Sequence, residues 1–197
     1  EGLGIFLNKN KSKDDFKIHL YGDKNILTNE ISKINSGKDK IQIIHTSETV
    51  SDKESPMTAV KNSKNTSMWN AVKAQIDGDA DITLSAGNTG VLLVISRMIL
   101  KMIKEVNKPA LAGLWPSKKG MSVVLDLGAN IECDENNLLD FSKLGSALYK
   151  SLFPNEIVKI ALLNIGSEEI KGTEIIKKTF VKIKELEKNA DFKFNGY

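Results

Sequence analysis

Short apolar runs alternate along the chain with longer stretches in which apolar residues recur every three or four positions. The short runs are rich in Ile, Val and Leu and end at glycine or small polar residues, which is typical of buried strands. They predict strands at residues 16–23, 41–48, 80–88, 121–130, 158–169 and 192–197. The longer stretches predict amphipathic helices at residues 66–78, 90–105, 138–153 and 173–189. This alternation indicates an α/β fold with a mostly parallel sheet covered on both faces.

The two ends of the chain also carry secondary-structure signals. The opening EGLGIFL is typical of the last turns of a helix, and the closing FKFNGY is typical of a strand at its edge. We therefore expect residues 1–197 to form a single α/β domain that is partial, with the fold incomplete at both termini.

Loops with glycine and small polar residues follow the carboxyl ends of several predicted strands. They lie at residues 46–49, 85–90, 126–130 and 164–173. In open parallel sheets ligands bind at this edge, because helix N-termini and loop amides converge there. We expect the functional site on these loops.

The loop SAGNTG at residues 85–90 joins a predicted strand to a helix that begins near Thr89. Gly87 and Gly90 permit backbone conformations and close approaches that a Cβ atom would block, and Asn88 and Thr89 can cap the helix. The free amides at the helix N-terminus form a natural anion site. An ordinary well-capped turn explains the loop equally well. It matches neither the P-loop nor the dinucleotide-binding pattern.

The loop NIGSEEIKGTE at residues 164–174 places Lys171 directly before an amphipathic helix with Thr173 as its N-cap. A lysine there can reach back over the sheet edge to an anion held by helix amides, although a solvated surface lysine is the simpler interpretation. Glu168 and Glu169 are either first-turn helix charges or a polar rim around the site.

Two further loops offer polar groups. Asp126, at the end of an apolar strand, can orient a neighbouring donor or bind a metal, or it can simply cap its own loop. Lys118 and Lys119 lie beside a proline turn and suit either phosphate contact or solvation.

The charge of the chain is small, +3 from 28 Lys and Arg against 25 Asp and Glu. The lysines are spread over helix-like surface positions, so the charge does not favour nucleic acid as a partner. Cys133 is the only cysteine in the sequence, which excludes an internal disulfide and favours a reducing, cytoplasmic setting. The longest apolar run is shorter than the roughly 20 residues of a membrane-spanning helix.

Familiar catalytic arrangements fit poorly. The two histidines, His19 and His45, lie within or at the end of predicted strands and leave little for a Ser-His-Asp or Cys-His system. Cys133 has no histidine near it in sequence, and an incidental thiol explains it better than a nucleophile. The sequence suggests no metal site and no cofactor. If the chain is an enzyme, we expect its nucleophile to come from the substrate.

Six segments, taken in their order and spacing, resemble the bacterial phosphate acyltransferase of phospholipid synthesis, the PlsX family. They are SPMTAVKNSKNTSM (55–68), SAGNTG (85–90), KPALAGLWPSKKG (108–120), LDLGAN (125–130), LGSALY (144–149) and LLNIGSEEIKGTE (162–174). The resemblance implies a three-layer α/β/α sandwich, related to the phosphotransacetylases and to the isocitrate and isopropylmalate dehydrogenases.

The resemblance also implies an activity and partners. The family moves a fatty acyl group from acyl carrier protein to inorganic phosphate, without a cofactor, and the acyl phosphate then feeds a membrane-bound glycerol-phosphate acyltransferase. Its members are cytoplasmic homodimers that associate peripherally with the membrane. Phosphate dianion is a competent nucleophile toward a thioester, so the protein need only hold it, neutralise it and stabilise the oxyanion.

The resemblance assigns roles to particular residues. Lys171 matches the lysine of the family's Lys-Gly-Asn/Thr-Glu motif and is the implied catalytic residue. The residues implied to bind phosphate or thioester are Ser85, Gly87, Asn88, Thr89, Gly90, Asp126, Asn130, Asn164 and Gly172.

Three departures limit this transfer of roles. The family has an Asp-x-Met-Gly-Gly-Asp segment before the matched region and an Asp-Gly-Phe-x-Gly-Asn segment after it, and neither is in this sequence. Residues 62–65 replace a more basic run and leave Lys61 and Lys64, so contacts with an acidic carrier protein are expected to be weaker or redistributed. We therefore expect an incomplete site, and severely impaired turnover relative to a full-length member.

Three alternatives stay open at this point. A phosphotransacetylase that uses acyl-coenzyme A would share the fold and the phosphate site. A nicotinamide-dependent decarboxylating dehydrogenase would need a metal-binding carboxylate cluster, which the sequence does not suggest. An inactive anion-binding fragment is the non-catalytic alternative.

Overall fold

The chain divides into two compact units, which we call unit 1 (Glu1–Lys101) and unit 2 (Met102–Tyr197). This computed structural model describes residues 1–51, 53, 55–56, 61, 63–118, 120–168 and 171–197. The single domain over residues 1–197 stays a prediction.

Unit 1 is built on two parallel strands and the helices around them. Its described elements are α1 (Gly2–Lys9), β1 (Ile18–Gly22), α2 (Lys24–Ser32), β2 (Ile41–His45), α3 (Ser67–Asp77) and α4 (Thr89–Leu100). Strands β1 and β2 pair in parallel register from Ile18 opposite Ile41 to Gly22 opposite His45. Helix α2 connects them and begins at Asp23, whose carboxylate accepts hydrogen bonds from the amides of Asn25 and Ile26.

The core of unit 1 lies between α3 and α4. Met68 and Val72 on α3 pack with Val91 and Ile95 on α4. Each pair is four residues apart, so both side chains lie on the same face of their helix. This packing fixes the N-terminal end of α4, where the loop at residues 85–90 enters it.

Unit 2 contains an antiparallel hairpin, two long helices and a short parallel strand pair. Its described elements are β3 (Gly113–Ser117), β4 (Gly120–Val124), α5 (Glu135–Leu152), β5 (Lys159–Ile160), α6 (Glu174–Glu187) and β6 (Lys193–Phe194). Val158, Ile183 and Phe192 form its core. Helix α5 starts with a reciprocal capping box between Asp134 and Asn137.

The helical predictions are confirmed. The helices predicted at 66–78, 90–105, 138–153 and 173–189 correspond to α3, α4, α5 and α6, and the helix signal at the start of the chain corresponds to α1. Helix α4 ends at Leu100, however, five residues before the predicted end. The α/β class and the predominance of parallel pairing are also confirmed, because β1–β2 and β5–β6 are parallel and β3–β4 is antiparallel.

The strand predictions are less accurate. The described residues form three separate two-stranded sheets, and residues 80–88 form no strand, contrary to the prediction. A strand needs a hydrogen-bonded neighbour, and this segment has none among the described strands. Its apolar side chains are also not covered, since Ile82 and Leu84 are 76% and 91% exposed.

Two elements were not predicted. Helix α2 has no buried residue, and its pattern of polar and apolar positions is accordingly weak. Strand β3 includes Pro116, within a segment that the sequence analysis interpreted as a turn. None of the helices in the described ranges is long and apolar enough to cross a membrane.

Candidate functional site

The loop at residues 85–90 holds the N-terminus of α4 in an exposed position in unit 1. The side-chain oxygen of Asn88 accepts a hydrogen bond from the Val91 amide at 3.1 Å, which confirms Asn88 as the N-cap. The Ser85 hydroxyl accepts a hydrogen bond from the Gly87 amide at 3.2 Å and tightens the loop. The amides of Thr89 and Gly90 lie in the first turn, before any helical acceptor is available, so they are suited to bind an anion.

The two glycines of this loop are closely packed by neighbouring side chains. A Cβ atom on Gly87 would lie 3.1 Å from Cε of Met68, and one on Gly90 would lie 3.0 Å from Cγ of Pro56. Neither glycine has a positive φ angle. The predicted close approach is therefore confirmed, and the wider range of backbone conformations that glycine permits is not used here.

In unit 2, the carboxylate of Asp126 organises the loop at residues 126–130. Its Oδ1 accepts hydrogen bonds from the amides of Leu111 at 2.8 Å and Ala129 at 3.2 Å. Its Oδ2 accepts hydrogen bonds from the Asn130 amide at 2.8 Å and from Asn130 Nδ2 at 2.9 Å. Asn130 Nδ2 also donates to the carbonyl of Pro109 at 2.7 Å. This network ties the loop to residues 109–111.

The same contacts set the ionisation of Asp126. Burial raises the pKa of its carboxyl group, but the hydrogen bonds from Leu111, Asn130 and Ala129 outweigh burial and lower the pKa below its usual value. Asp126 is thus a carboxylate at neutral pH, and all its described partners are donors of its own unit. This contact pattern matches the alternative in which Asp126 caps its own loop.

The loop at residues 164–173 brings three predicted site residues together in unit 2. Asn164 Nδ2 donates to the carbonyl oxygens of Gly166 at 3.1 Å and Lys171 at 3.2 Å. Gly172 has a φ angle of +94°, and a Cβ atom there would lie 2.5 Å from Oδ1 of Asn164. Only glycine fits this position. The turn places Lys171 immediately before α6, whose N-cap is Thr173 as predicted.

The ammonium group of Lys171 forms an ion pair with Glu168, with Nζ 2.8 Å from Oε1. Both side chains are about half exposed. The hydrogen bond from Lys171 lowers the pKa of the Glu168 carboxyl group. Glu168 therefore lies outside the first turn of α6, which begins at Glu174.

The predicted site residues thus form three local groups. Unit 1 holds Ser85, Gly87, Asn88, Thr89 and Gly90, and unit 2 holds Asp126 with Asn130, and Asn164 with Lys171 and Gly172. Glu169, Lys119 and residues 57–60 and 62 of the segment at 55–68 lie outside the described residues. Lys118 lies at an exposed position after β3.

Several contacts of these groups were not predicted from the sequence. Pro56 and Met68 pack against the glycines of the 85–90 loop, and the amide of Leu111 binds Asp126. Glu168 was noted, but its pairing with Lys171 was not. Its position three residues before a lysine was the available signal, because this spacing is common in ion pairs.

Other reactive groups do not form a catalytic arrangement. The pKa of the Cys133 thiol is raised, mainly by burial, so the thiolate is disfavoured at neutral pH. His45 Nδ1 accepts a hydrogen bond from the Lys24 amide at 3.1 Å. Within the described ranges, no three His, Cys, Asp or Glu side chains lie close enough together to hold a metal ion.

Comparison with known proteins gives consistent matches over nearly the whole chain. The model of one family, described as fatty acid synthesis protein, matches residues 4–197. The phosphate acyltransferase of Pelagibacter ubique is 51% identical over 187 residues, which are 95% of this chain and 55% of that protein. The phosphate acyltransferase of Maricaulis maris is 34% identical over 197 residues, which are 100% of this chain and 55% of that protein. The chain therefore spans about half the length of these curated relatives.

A solved structure gives a match of fold. The EutD phosphotransacetylase from Staphylococcus aureus aligns with a TM-score of 0.66 at 15% sequence identity, over 96% of this chain and 62% of that chain. At this level of identity, the match shows a shared α/β fold.

Proposed function

The chain belongs to the fatty acid synthesis protein family, and from this premise we propose that it is a phosphate acyltransferase, or part of one. The reaction moves a fatty acyl group from acyl carrier protein to inorganic phosphate and gives acyl phosphate for phospholipid synthesis. The single observation that carries the proposal is the near-complete match of this chain to relatives named phosphate acyltransferase.

The proposed acceptor is phosphate bound at the N-terminus of α4. The amides of Thr89 and Gly90 supply hydrogen-bond donors and the positive end of the helix dipole, and the α3–α4 core keeps them in place. Asn88 and Ser85 hold the shape of the loop. Because these hydrogen-bond donors are already in place, they do not have to reorient as charge develops during the reaction.

The proposed chemistry is nucleophilic attack by the phosphate. A phosphate oxygen forms a bond to the thioester carbonyl carbon, and the carbonyl oxygen becomes an oxyanion. When the tetrahedral intermediate collapses, the C–S bond breaks and the carrier thiol leaves with the electron pair and takes up a proton. The family resemblance implies that Lys171 supplies positive charge to the reacting groups, and within unit 2 Glu168 and Asn164 hold the turn that carries it.

The proposal includes the partners and location that the family resemblance implies. The donor is acyl carrier protein, the protein acts in the cytoplasm as a homodimer, and it contacts the membrane peripherally to pass acyl phosphate to a glycerol-phosphate acyltransferase. No metal or cofactor takes part in the proposed step, because the nucleophile is the phosphate itself.

The experiment supplies the chain with phosphate and either palmitoyl carrier protein or palmitoyl-coenzyme A. Release of free thiol that depends on phosphate, together with acyl phosphate identified by mass spectrometry, measures the transfer. We expect product with the carrier protein as donor, at a rate severely reduced relative to that of a full-length family member assayed in parallel. Product with coenzyme A alone would replace the proposal with a phosphotransacetylase-like activity. Absence of product with both donors would favour the inactive anion-binding fragment.

A further inference from the structure

Gly166 lies directly against the side chain of Lys171 in the turn at residues 164–173. A Cβ atom on Gly166 would lie 2.5 Å from Cδ and 3.2 Å from Nζ of Lys171, and 2.7 Å from Oε2 of Glu168. Carbon atoms in favourable contact are separated by roughly 3.5–4.0 Å. The ion pair between Lys171 and Glu168 therefore occupies the space that a side chain at position 166 would need.

The backbone on both sides of this contact is fixed by hydrogen bonds. Asn164 Nδ2 donates to the carbonyl oxygens of both Gly166 and Lys171. The Lys171 amide donates to the carbonyl of Glu168 at 3.0 Å. Because one side-chain amide binds both ends of the turn, the distance between the backbones of Gly166 and Lys171 is set. The direction of the Lys171 side chain is then decided by what that side chain touches.

The ion pair with Glu168 is a weak restraint by itself. The side chains of Lys171 and Glu168 are 45% and 55% exposed. Exposed ion pairs contribute little, because water screens the charges and two long side chains lose rotamer freedom. The four-carbon stem of a lysine is flexible, so an ammonium group held only by such a pair would occupy many positions. The open space at Gly166 restricts the stem, since it lets Lys171 lie against the backbone and point at Glu168.

We propose that Gly166 is a positioning residue for Lys171, because its lack of a side chain leaves the space in which the lysine stem lies and so sets where the ammonium group is held. This inference rests on the proposed function, in which the charge of Lys171 stabilises the reacting groups. A charge contributes most to a transition state when it is already in place. Gly166 acts only through Lys171.

The backbone conformation of Gly166 does not itself require glycine. Its φ angle is not positive, in contrast to that of Gly172, so alanine fits the backbone at position 166. The atoms that a Cβ atom would meet belong to the outer parts of two flexible side chains, Lys171 and Glu168. Those side chains can move aside while the turn stays folded. Gly166→Ala therefore moves the ammonium group without removing it.

NMR titration of the Glu168 carboxyl group tests the position of the ammonium group without a substrate. The hydrogen bond from Lys171 is the main cause that lowers the pKa of Glu168. We expect Gly166→Ala to raise this pKa toward the usual value of about 4.3 for glutamate. Ser167→Ala is the matched control, because it changes an exposed neighbour and keeps the Ser167 backbone bond that also lowers the pKa of Glu168. The same pKa of Glu168 in G166A and in the wild type would overturn the inference.

A measurement on the unsubstituted chain decides the matter if G166A does not fold, as judged by circular dichroism. Cδ of Lys171 lies where the side chain of residue 166 would begin. We therefore expect a nuclear Overhauser effect between the α-hydrogens of Gly166 and the δ-hydrogens of Lys171. Its absence would show that the stem does not lie against Gly166, and the inference would be wrong.

Kinetics connect this position to the proposed reaction. We expect G166A to lower kcat for phosphate-dependent thiol release by on the order of 10- to 100-fold, because misplacing a catalytic group by about 1 Å has effects of this size. The KM for palmitoyl carrier protein should stay unchanged, whereas a general loss of structure would alter it. In a Lys171→Ala background, G166A should have no further effect. A full additional loss of rate in that background would contradict a role exerted through Lys171.

The two proposals fail in different ways. Acyl phosphate formation with the same kcat in G166A and the wild type would overturn the positioning role and leave the transfer reaction in place. A rise in the pKa of Glu168 in G166A, without acyl phosphate formation by the wild type, would support the control of Lys171 by Gly166 and count against the transfer reaction.

Discussion

At the scale of single residues, the charged side chains proposed for the site have partners that are already in place. Lys171 is held by Glu168, and its backbone carbonyl accepts from Asn164. Asp126 accepts hydrogen bonds from four donor groups of its own unit. These contacts position charges before a substrate arrives, which is the condition for electrostatic stabilisation of a transition state.

Lys171→Ala is expected to lower phosphate-dependent acyl transfer on the order of 100-fold, because it removes the charge proposed to stabilise the oxyanion. The initial rate of thiol release with palmitoyl carrier protein measures the effect. Lys177→Ala is the matched control, since Lys177 also pairs with a glutamate three residues before it, at 3.2 Å from Glu174. Unchanged kinetics in K171A would assign Lys171 to the solvated surface.

Asp126→Asn is expected to destabilise unit 2 by about 1–3 kcal/mol at neutral pH, because an amide cannot accept all the hydrogen bonds that the carboxylate accepts. The pKa of Asp126 is lowered in the folded state. The contribution of this carboxylate to the free energy of unfolding is therefore complete above the pKa of the group in the unfolded chain, about 3.9. It is lost as the pH falls through the lower pKa of the group in the folded protein. The difference between the wild type and D126N should shrink over that acid range.

Urea unfolding at a series of pH values measures this effect, with Trp115 fluorescence as the reporter in a Trp69→Phe background. Asp191→Asn is the control, because Asp191 is an exposed partner of Lys150 at 3.1 Å and is expected to contribute less than about 1 kcal/mol. A difference in the free energy of unfolding between wild type and D126N that does not change with pH would contradict the role of the carboxylate charge.

At the scale of elements, the anion-binding end of α4 depends on the packing of its other residues. Val91 and Ile95 are fully buried against α3, while the loop before them is exposed. A short helix in water is only marginally stable without such packing. The apolar run after residue 90 therefore maintains the helix whose first-turn amides are proposed to hold phosphate.

Ile95→Ala is expected to destabilise unit 1 by about 2–5 kcal/mol, because it leaves a cavity in the α3–α4 core. The reporter is Trp69, which packs against this core, in a Trp115→Phe background during urea unfolding. Ile82→Ala removes an exposed side chain and should change the free energy of unfolding by no more than about 0.5 kcal/mol. Equal effects of the two substitutions would show that the core is not where the structure places it.

At the scale of the whole molecule, several large apolar side chains near the candidate site loops are almost fully exposed. They are Ile82, Leu84, Ile131, Leu163 and Ile165. Exposed apolar side chains favour association with another molecule or with a second copy of the same chain.

We expect concentration-dependent self-association of the chain in solution, because association removes these side chains from water. Light scattering coupled to size-exclusion chromatography measures the mass against the 21.7 kDa of one chain. Leu84→Lys and Ile165→Lys should each shift the equilibrium toward the monomer. Asn35→Lys adds the same charge at an exposed polar position and should not. A monomer at every concentration would contradict this prediction.

The amino-acid sequence by itself determined the features that depend on local interactions. The helical period and the capping residues Asn88 and Thr173 predicted the starts of α4 and α6 correctly, because a cap and its amide partner lie within three positions of each other. The order of the small-residue loops was enough to identify the family. The sequence also predicted the close packing around Gly87 and Gly90, because glycine has no Cβ atom to block it.

Only the tertiary structure decided the features that join distant residues. The pairing of β3 with β4, the absence of a strand at 80–88 and the bond from the Leu111 amide to Asp126 are contacts between segments whose partners the local pattern does not specify. Local spacing determines which face of a helix is apolar, whereas strand pairing depends on segments that are far apart in the sequence.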